Sequence, residues 1–431
     1  MKTLKNLSCA SFILAVTQTP VMAAAPAQPP LVLRAARLLD AASGRLQSPA
    51  EILVEGERIT AAGGSVPHPA GARLVDLGEV TLMPGLIDVH VHLFLHPGVD
   101  EDMQTVRESV PTRTLLAAIA ARDDLMAGYT AERDMGTEGA GSADSAVRDA
   151  INAGLLPGPR LHVSGNAVSI LGGHEDAIHF NPDIHMPSNA SYANDTAELT
   201  SVIRQQHKEG SDFVKIYETG HDEMRNGTLH TPYQYTLEQL KAAVAEAARL
   251  GATVAVHANG EPGTLYAAQA GVASIDHATQ LSDETMRIMK EKNIPAVPTF
   301  TVFDHFAQEP GGAAREGPMI EYKIKEFKRQ LAAGIPFAVG SDVGPFAHGT
   351  QARELELMVR YGMKPLAALQ ADLLNGARLM GLIGQIGELK AGYLADIIAV
   401  PGSPLDDIAV LQHVSFVMKG GVIERQGGAS K

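Results

Sequence analysis

The composition of the chain is that of a large globular protein. It has 431 residues, 45% of them hydrophobic and 19% charged, which excludes a disordered tail and a coiled coil. Its 35 Lys and Arg against 49 Asp and Glu give a formal charge of −14, and this acidic balance argues against nucleic acid as a partner. The only cysteine is Cys9, whereas histidines number 16.

Residues 1–25 have the layout of a secretory signal peptide. Two lysines precede an apolar stretch over residues 7–16, and small residues around Ala23 fit a cleavage rule. The alternative is an N-terminal membrane anchor, but about ten apolar residues are too few to span a bilayer. We therefore expect a protein that is exported, periplasmic or secreted, and free of the membrane after cleavage between Ala23 and Ala25. Removal of Cys9 with the leader excludes disulfides, a cysteine nucleophile and cysteine-ligated zinc.

Both ends of the remaining chain are predicted to form short strands. The amino-terminal part covers residues 31–83, and the carboxy-terminal part covers residues 384–427. In each part, apolar runs are separated by turns that contain glycine. The predicted strands include residues 31–34, 51–54, 396–400 and 414–418.

The middle of the chain, residues 84–383, alternates strand-like runs with helical patterns. An amphipathic helix is predicted over residues 237–250. Its expected buried face consists of Leu240, Val244, Ala247 and Ala248. The strand-like runs are residues 129–131, 160–163, 213–217, 253–257, 274–277 and 337–342.

This repetition of strand and helix predicts the fold class. Over about 300 residues it is the pattern of an α/β protein with a (β/α)₈ TIM barrel. A doubly wound open sheet is the alternative, but no Gly-x-Gly-x-x-Gly fingerprint follows a first strand. The barrel is therefore the favoured architecture.

Histidines stand at several predicted strand ends, where the active sites of barrels collect. The first strand ends in His90-Val91-His92, and the strand period of two places both imidazoles on one face. Two such imidazoles can share a metal ion, although a pair of surface histidines has the same spacing.

Lys215 lies inside the apolar run of residues 213–217. An ammonium group in a protein interior is unfavourable unless it is paired or converted, so a solvated edge position is the ordinary alternative. Against it, alternation places Tyr217 on the same side as Lys215, which gives the strand a polar face. A buried lysine with a lowered pKa can react with carbon dioxide to form a carbamate able to bridge two metals.

Three more strand-end residues complete the set. His257, His277 and Asp342 each close a predicted strand. Taken singly, each has a common structural explanation, either a hydrogen-bonded interior histidine or a helix-capping aspartate. Together with His90, His92 and Lys215 they form a nitrogen and oxygen ligand set that suits zinc, with manganese, iron or cobalt as alternatives.

These residues and their flanks resemble the amidohydrolase superfamily over essentially the whole mature chain. The flanks are MPGLID at residues 83–88 and IGELKAGYLAD at residues 386–396. The resemblance implies a metal-dependent hydrolase whose barrel, residues 84–383, carries the site. It also implies a small β-sandwich domain built from residues 31–83 and 384–427.

Four shorter motifs resemble one branch of that superfamily. This branch holds imidazolonepropionase-like hydrolases, metal-dependent dipeptidases of the carboxypeptidase type and ochratoxin-degrading amidases. Its members are often exported and commonly form homo-oligomers, and the resemblance implies both for this chain. Imidazolonepropionase itself lacks the bridging lysine, so Lys215 and the leader count against that identity. The motifs are GPR at 158–160, LGGH at 171–174, KIY at 215–217 and NGA at 375–377.

The resemblance implies a site for two divalent metal ions, with Zn²⁺ the first choice. His90, His92 and Asp342 would hold one ion, and His257 and His277 the other. Lys215, carboxylated by CO₂, would bridge both ions together with a hydroxide. Asp342 would accept the proton of that hydroxide and return it to the leaving amine, which makes Asp342 and Lys215 the expected catalytic residues.

The expected substrate is a small amide or peptide with a C-terminal amino acid, such as a dipeptide, an N-acyl amino acid or an amide like ochratoxin A. Candidate substrate contacts are His174, Tyr217 and His348, although packing or surface roles explain these residues equally well. A lactonase or cyclic amidohydrolase is the nearest alternative. A non-catalytic periplasmic protein that binds metal or ligand is the alternative from another class.

Overall fold

The computed structural model of the chain describes residues 29–427, apart from residues 177, 179 and 182. The predicted signal peptide, with Cys9, lies outside the described residues.

Short strands make up the amino-terminal part of the described chain. They are β1 (Leu31–Ala35), β2 (Arg37–Leu39), β3 (Leu46–Gln47), β4 (Ala50–Glu55), β5 (Arg58–Gly63), β6 (Arg73–Asp76) and β7 (Val80–Pro84).

Strands and helices then alternate through the middle. The elements are β8 (Leu86–Val91), α1 (Glu101–Arg107), α2 (Val110–Ala127), β9 (Tyr129–Asp134), α3 (Ala143–Asn152), β10 (Arg160–Val163), β11 (Val168–Ser169), β12 (Ser191–Tyr192), α4 (Thr196–Lys208), β13 (Val214–Tyr217), β14 (Glu223–Arg225), β15 (Thr228–His230), α5 (Leu237–Arg249), β16 (Val254–Ala258), α6 (Gly263–Ala270), β17 (Ser274–His277), α7 (Asp283–Lys292), β18 (Ala296–Val297), α8 (Phe300–Gln308), α9 (Gly312–Ala333), α10 (Arg353–Arg360), α11 (Pro365–Gln370) and α12 (Gly376–Leu379).

The carboxy-terminal part returns to strands. A π-helical turn (Ala371–Asn375) joins α11 to α12, and a 3₁₀ helix (Ile408–His413) precedes the last hairpin. The strands are β19 (Ile397–Pro401), β20 (Phe416–Lys419) and β21 (Val422–Gln426).

The two ends of the chain meet in one sheet. Its strand order is β21-β20-β19-β7-β2-β3, and antiparallel pairing of β19 with β7 joins the carboxy-terminal strands to the amino-terminal ones. A second sheet, β5-β4-β1-β6, shares an apolar core with it, to which Leu33 and Ile52 contribute from one sheet and Leu82 and Phe416 from the other. That the two sheets form a β-sandwich domain stays a prediction.

The parallel strands of the middle fall into two sheets among the described residues. Their orders are β10-β9-β8 and β12-β11-β13-β16-β17-β18. Between them lies the segment of residues 336–343. Its Ala338 amide donates to the Ala296 carbonyl at 3.0 Å, while its Val339 carbonyl accepts from the Val89 amide at 3.0 Å. The segment therefore bridges β18 and β8.

The prediction of a strand over residues 337–342 is wrong, because this stretch does not form a regular strand. Only isolated bridges occur there, at Phe337 and Val343. The reason is local backbone geometry, because Asp342 has a left-handed φ of 62°, which extended strands do not accommodate. The chain still passes beside β8, but its pairing is interrupted where the aspartate is presented.

The predicted helix over residues 237–250 is confirmed as α5. Thr236 and Gln239 form a capping box at its start, which satisfies backbone amides of the first turn. The predicted buried face is wrong at one position, since Ala248 is exposed and Ala243 is buried instead. Leu240, Ala243 and Ala247 recur at three- and four-residue spacing and so share the inner face.

Gly340 lies against His90 of β8 with no room for a side chain. A Cβ atom at this glycine would lie 2.6 Å from His90 Cβ and 2.5 Å from Val297 Cγ1. We expect Gly340→Ala to lower the free energy of unfolding by about 1–3 kcal/mol, because a packed core resists added volume. Chemical denaturation measures this. Gly63→Ala is the control, since its nearest neighbours lie 3.9 Å away, and equal stabilities of the two variants would contradict the expectation.

Candidate active site

Asp342 brings the first two predicted ligands together. Its Oδ1 lies 3.2 Å from His92 Nε2 and 3.5 Å from His90 Nε2, and these two nitrogens are 3.3 Å apart. Both histidines are buried. One ligand atom from each of the three residues lies within 4.8 Å of the others, so the group fits a divalent metal with nitrogen and oxygen ligands.

The second predicted pair lies beside this group. The rings of His257 and His277 are 4.2 Å apart between centroids, and His277 is 5.1 Å from His90 on the same measure. His277 Nδ1 is also 3.8 Å from Asp342 Oδ2. The four histidines and the aspartate therefore converge at the ends of four different segments of parallel chain.

Lys215 is a fully buried amine in the same region. Its Nζ has no hydrogen-bond partner among the described residues and lies 4.9 Å from the centroid of the Tyr217 ring. Burial lowers the pKa of Lys215, although the charges of Asp276 and Asp342 oppose that effect. A neutral amine is the form that reacts with carbon dioxide, so the lysine is suited to carboxylation.

At two of the candidate ligands, a left-handed backbone conformation directs the side chain into the site. His277 follows Asp276 directly, and strand alternation predicts that these two side chains point to opposite faces. Both nevertheless approach His90, because His277 has a φ of 67°. Asp342 is turned in the same way at a φ of 62°. Such conformations are unfavourable for residues with a Cβ atom and persist where the surroundings hold them.

The pKa values of His90 and His92 are shifted in opposite directions. Burial and then the nearby Lys215 lower the pKa of His90 to about 4, so its ring is neutral at pH 7. For His92 burial acts in the same direction, but hydrogen bonds to Asp342 and Glu138 outweigh it and raise the pKa to about 10. Burial favours the neutral acid of Asp342, yet His90 and His92 hold its pKa well below the usual range. The carboxylate is therefore ionised at neutral pH.

An oxygen atom lies beside the far nitrogen of three of the histidines, as a hydrogen-bond partner of His92 and His277 and as an ion-pair neighbour of His90. Glu138 Oε1 is 2.6 Å from His92 Nδ1, Asp276 Oδ2 is 3.3 Å from His90 Nδ1, and Thr299 Oγ1 is 2.7 Å from His277 Nδ1. Such partners fix the orientation and tautomer of imidazoles that bind metals. All three were missed from sequence. Each stands at or just after a strand, but acids and hydroxyls are too common there to be singled out.

Two of the predicted substrate contacts lie next to the second histidine pair. The ring of His174 stacks on Tyr217 at 4.9 Å and lies 4.1 Å from the ring of His257. His348 has a different setting, since its Nδ1 is 2.7 Å from Asp124 in α2. A substrate contact by His348 stays a prediction.

Three carboxyl groups cluster beside His92. Ligand atoms of Glu101, Glu138 and Glu175 lie within 4.8 Å of one another. Burial and then the charge of Glu138 raise the pKa of Glu175 to about 7. Glu101 also lines a cavity of about 650 Å³, whose wall includes residues that follow His92 and Asp342 along the chain. The lining includes Leu95, Val99, Gln104, Phe306, Arg315 and Pro345.

The chain belongs to the amidohydrolase family, whose profile matches residues 81–423. It is 31% identical over 378 residues to the ochratoxinase of Aspergillus niger, covering 80% of this chain and 76% of that protein. It is 29% identical over 194 residues to an imidazolonepropionase of Caldanaerobacter subterraneus, covering 43% of each. The predicted superfamily is thereby confirmed.

Solved structures agree with the sequence relatives. A Xaa-Pro dipeptidase with methionine bound in its active site matches with a TM-score of 0.83 and 30% identity, over 91% of this chain and 99% of that one. The A. niger ochratoxinase structure matches with a TM-score of 0.80 and 26% identity, over 94% and 99%. These relatives imply a TIM-barrel-type α/β fold, indicate a hydrolytic enzyme and support amide hydrolysis as its general reaction.

In the part of the chain that the structure describes, no helix combines the length and apolar character needed to cross a membrane.

Metal binding at this site is expected to release a proton. His92 is protonated at neutral pH, because its pKa is raised to about 10, and a metal ligand must be neutral. The apparent affinity for Zn²⁺ should therefore fall about tenfold for each unit that the pH is lowered from 8 to 6. Titration against a competing chelator at several pH values measures this slope.

Glu138→Gln is the matched variant for that titration. It keeps an oxygen near His92 Nδ1 but removes one of the charges that raise the pKa of His92. The slope with pH should become shallower in this variant. A wild-type affinity that does not change with pH would contradict the expectation.

Proposed function

We propose that the chain is a metal-dependent amidohydrolase that cleaves the amide bond to a C-terminal amino acid. The observation that carries the proposal is the convergence of His90, His92 and Asp342 with His257 and His277 around one buried point. The enzyme is proposed to be exported, to the periplasm or beyond, and to form homo-oligomers.

The proposed metal content is two divalent ions, Zn²⁺ in the first place. His90, His92 and Asp342 would hold one ion, His257 and His277 the other, and carboxylated Lys215 would contact both. The Lys215 Nζ is buried and has no hydrogen-bond partner among the described residues, which supports this assignment. Carboxylation would give the side chain oxygen atoms that can bind the proposed metal ions. Bound metal of this kind lowers the pKa of water from about 15.7 towards 7 and polarises a carbonyl.

Asp342 is proposed to move the proton during hydrolysis. Its carboxylate is ionised at neutral pH and is the most exposed of the cluster, with 14% of its side chain accessible. It can therefore accept a proton from the attacking water and return that proton to the leaving amine. Its Oδ1 lies 3.2 Å from His92 Nε2, which places the carboxylate beside the proposed metal ligands.

Tyr217 and His174 are proposed to contact the substrate. Burial and then the charge of Glu175 raise the pKa of Tyr217 well above its usual value, so its hydroxyl stays protonated. A protonated phenol can donate to a substrate carbonyl or carboxylate. The stacked ring of His174 would complete the same wall of the pocket.

The substrate class is proposed from the relatives and from the cavity. By their names, an ochratoxinase acts on ochratoxin and a Xaa-Pro dipeptidase acts on dipeptides, and the match to each covers most of this chain. The adjacent cavity of about 650 Å³ is of the size that takes a drug-sized ligand. Dipeptides, N-acyl amino acids and amides like ochratoxin A are therefore the proposed substrates.

The domain organisation is proposed in the form that the sequence predicts. Residues 1–25 would be a signal peptide, residues 84–383 a closed (β/α)₈ barrel, and residues 31–83 with 384–427 a β-sandwich. Backbone hydrogen bonds from the 336–343 segment to both β18 and β8 support closure of the barrel. The shared apolar core of the two end sheets supports the sandwich.

A cyclic amidohydrolase is the second candidate, with a lactonase beside it. The partial match to imidazolonepropionase favours cyclic amides, but it covers only 43% of the chain. A non-catalytic binding protein is disfavoured, because every residue of the predicted metal set is present and all but Lys215 make contacts within it.

Metal analysis tests the proposed centre. The purified protein should contain close to two divalent ions per chain, and chelation should abolish activity that Zn²⁺ restores. Lys215→Ala should lose most of both metal and activity, whereas Lys241→Ala on the exposed face of α5 should lose neither. Asp342→Asn should lower kcat by about a thousandfold or more while retaining more metal than Lys215→Ala. Active protein without a transition metal would refute the proposal.

A substrate panel tests the proposed specificity. Dipeptides, N-acyl amino acids and ochratoxin A should be cleaved faster than lactones or cyclic amides, as measured by mass spectrometry of the products. Dipeptides with a free carboxylate should exceed the same peptides with an amidated C-terminus by about tenfold or more in kcat/KM, because a charged contact is lost. Equal rates on the two forms would rule out the carboxypeptidase type.

A further inference from the structure

Two side chains of helix α9 hydrogen-bond to the end of β17 and to the loop that follows it. Lys323, only 2% exposed, donates from Nζ to the His277 carbonyl at 2.8 Å and to Thr279 Oγ1 at 3.0 Å. Gln330 donates from Nε2 to the carbonyls of Ala278 at 2.8 Å and Thr279 at 3.3 Å. The two donors are seven residues apart, two helical turns, so one face of α9 presents both.

This loop needs such support because its backbone is left-handed. His277 has a φ of 67° and Ala278 a φ of 44°. Such backbone conformations are unfavourable for residues with a Cβ atom and persist only where the surroundings hold them. Lys323 and Gln330 donate hydrogen bonds to the carbonyls of His277 and Ala278, which holds the His277 ring in the site.

Lys323 also reaches the other histidine of the pair. Thr279 Oγ1, which accepts from Lys323, donates to Asn259 Oδ1 at 2.6 Å. Asn259 Nδ2 in turn lies 3.4 Å from His257 Nε2. One amino group is therefore connected to His277 through its carbonyl and to His257 through two polar side chains.

The environment of Lys323 keeps its amino group in this position, although burial lowers the pKa of that group to about 7. Its Nζ lies 4.9 Å from the centroid of the Phe303 ring and 5.5 Å from that of Phe300, both in α8. Aromatic faces attract a cation and exclude water. The group is thus anchored at a fixed point under the loop.

His90 and His92 have different supports. Their Nδ1 atoms contact Asp276 and Glu138, which belong to β17 and to the loop after β9. Both are outside α9. A change at Lys323 should consequently act on one histidine pair more than on the other.

We propose that Lys323 is a positioning residue for His257 and His277. This inference rests on the proposed function, in which His257 and His277 hold the second metal ion. The substrate need not touch Lys323, which acts through the backbone of the loop and through Thr279 and Asn259.

The test compares Lys323→Met with Lys325→Met. Methionine keeps the length of the side chain but removes the donor, and Lys325 is an exposed lysine two residues along the same helix. The first readout is hydrogen–deuterium exchange of a peptide that covers residues 274–281 in metal-free protein. Lys323→Met should increase its exchange rate at least tenfold, and Lys325→Met should leave it unchanged.

The second readout is metal content together with kinetics. Lys323→Met should bind about one divalent ion where the wild type binds two, with kcat lowered more than KM is raised. Lys323→Arg, which keeps a cationic donor, should restore part of both. Thr279→Val, with Thr279→Ser as its control, removes the hydroxyl that joins Lys323 to Asn259 but leaves the Lys323 bond to the His277 carbonyl, and it serves if Lys323→Met fails to fold.

The outcomes separate this inference from the proposed function. Unchanged exchange over residues 274–281 in Lys323→Met, or equal loss of both metals, would overturn the positioning role. A wild type that binds no metal would refute the proposed function, while the exchange data would still decide whether Lys323 holds the two histidines.

Discussion

The contact of one carboxylate with three imidazoles is the interaction on which the site depends. Asp342 lies 3.2 to 3.8 Å from ring nitrogens of His92, His90 and His277. A carboxylate with only 14% of its side chain exposed is strongly unfavourable without charged or hydrogen-bonding partners, so the surrounding structure must deliver them accurately. Much of the neighbouring backbone serves this purpose. Gly340 lets the chain pass against His90, and the left-handed residue Asp342 turns its carboxylate inward.

The outer contacts of the histidines explain how the cluster stays ordered. Glu138 and Thr299 hydrogen-bond to the nitrogens of His92 and His277 that face away from the centre, and Asp276 lies 3.3 Å from the corresponding nitrogen of His90. The result is a set of imidazoles with fixed orientation, of which His90 is neutral at pH 7 and ready to bind a metal. The chain belongs to the amidohydrolase family, and this arrangement is consistent with a hydrolytic enzyme.

Much of the fold and of the ligand set could be predicted because regular spacing encodes both. Helix α5 and strand β17 lie where the sequence predicts them, and His90 and His92 share a face because the strand period is two. The irregular parts could not be predicted in this way. Residues 337–342 have the composition of a strand, yet their pairing with both neighbours is interrupted where Asp342 turns.

What the sequence by itself determined is the chemistry available: in the expected mature chain, histidine, aspartate and lysine without cysteine, placed where parallel strands end. The family follows from the same residues. Only the tertiary structure decided which atoms support that set, such as Thr299 beside His277 and Lys323 beneath it. The physical reason is that these supports come from elements distant along the chain, and their role depends on backbone angles that no local pattern encodes. His277 would face away from Asp276 in a regular strand, and the fold turns both toward His90.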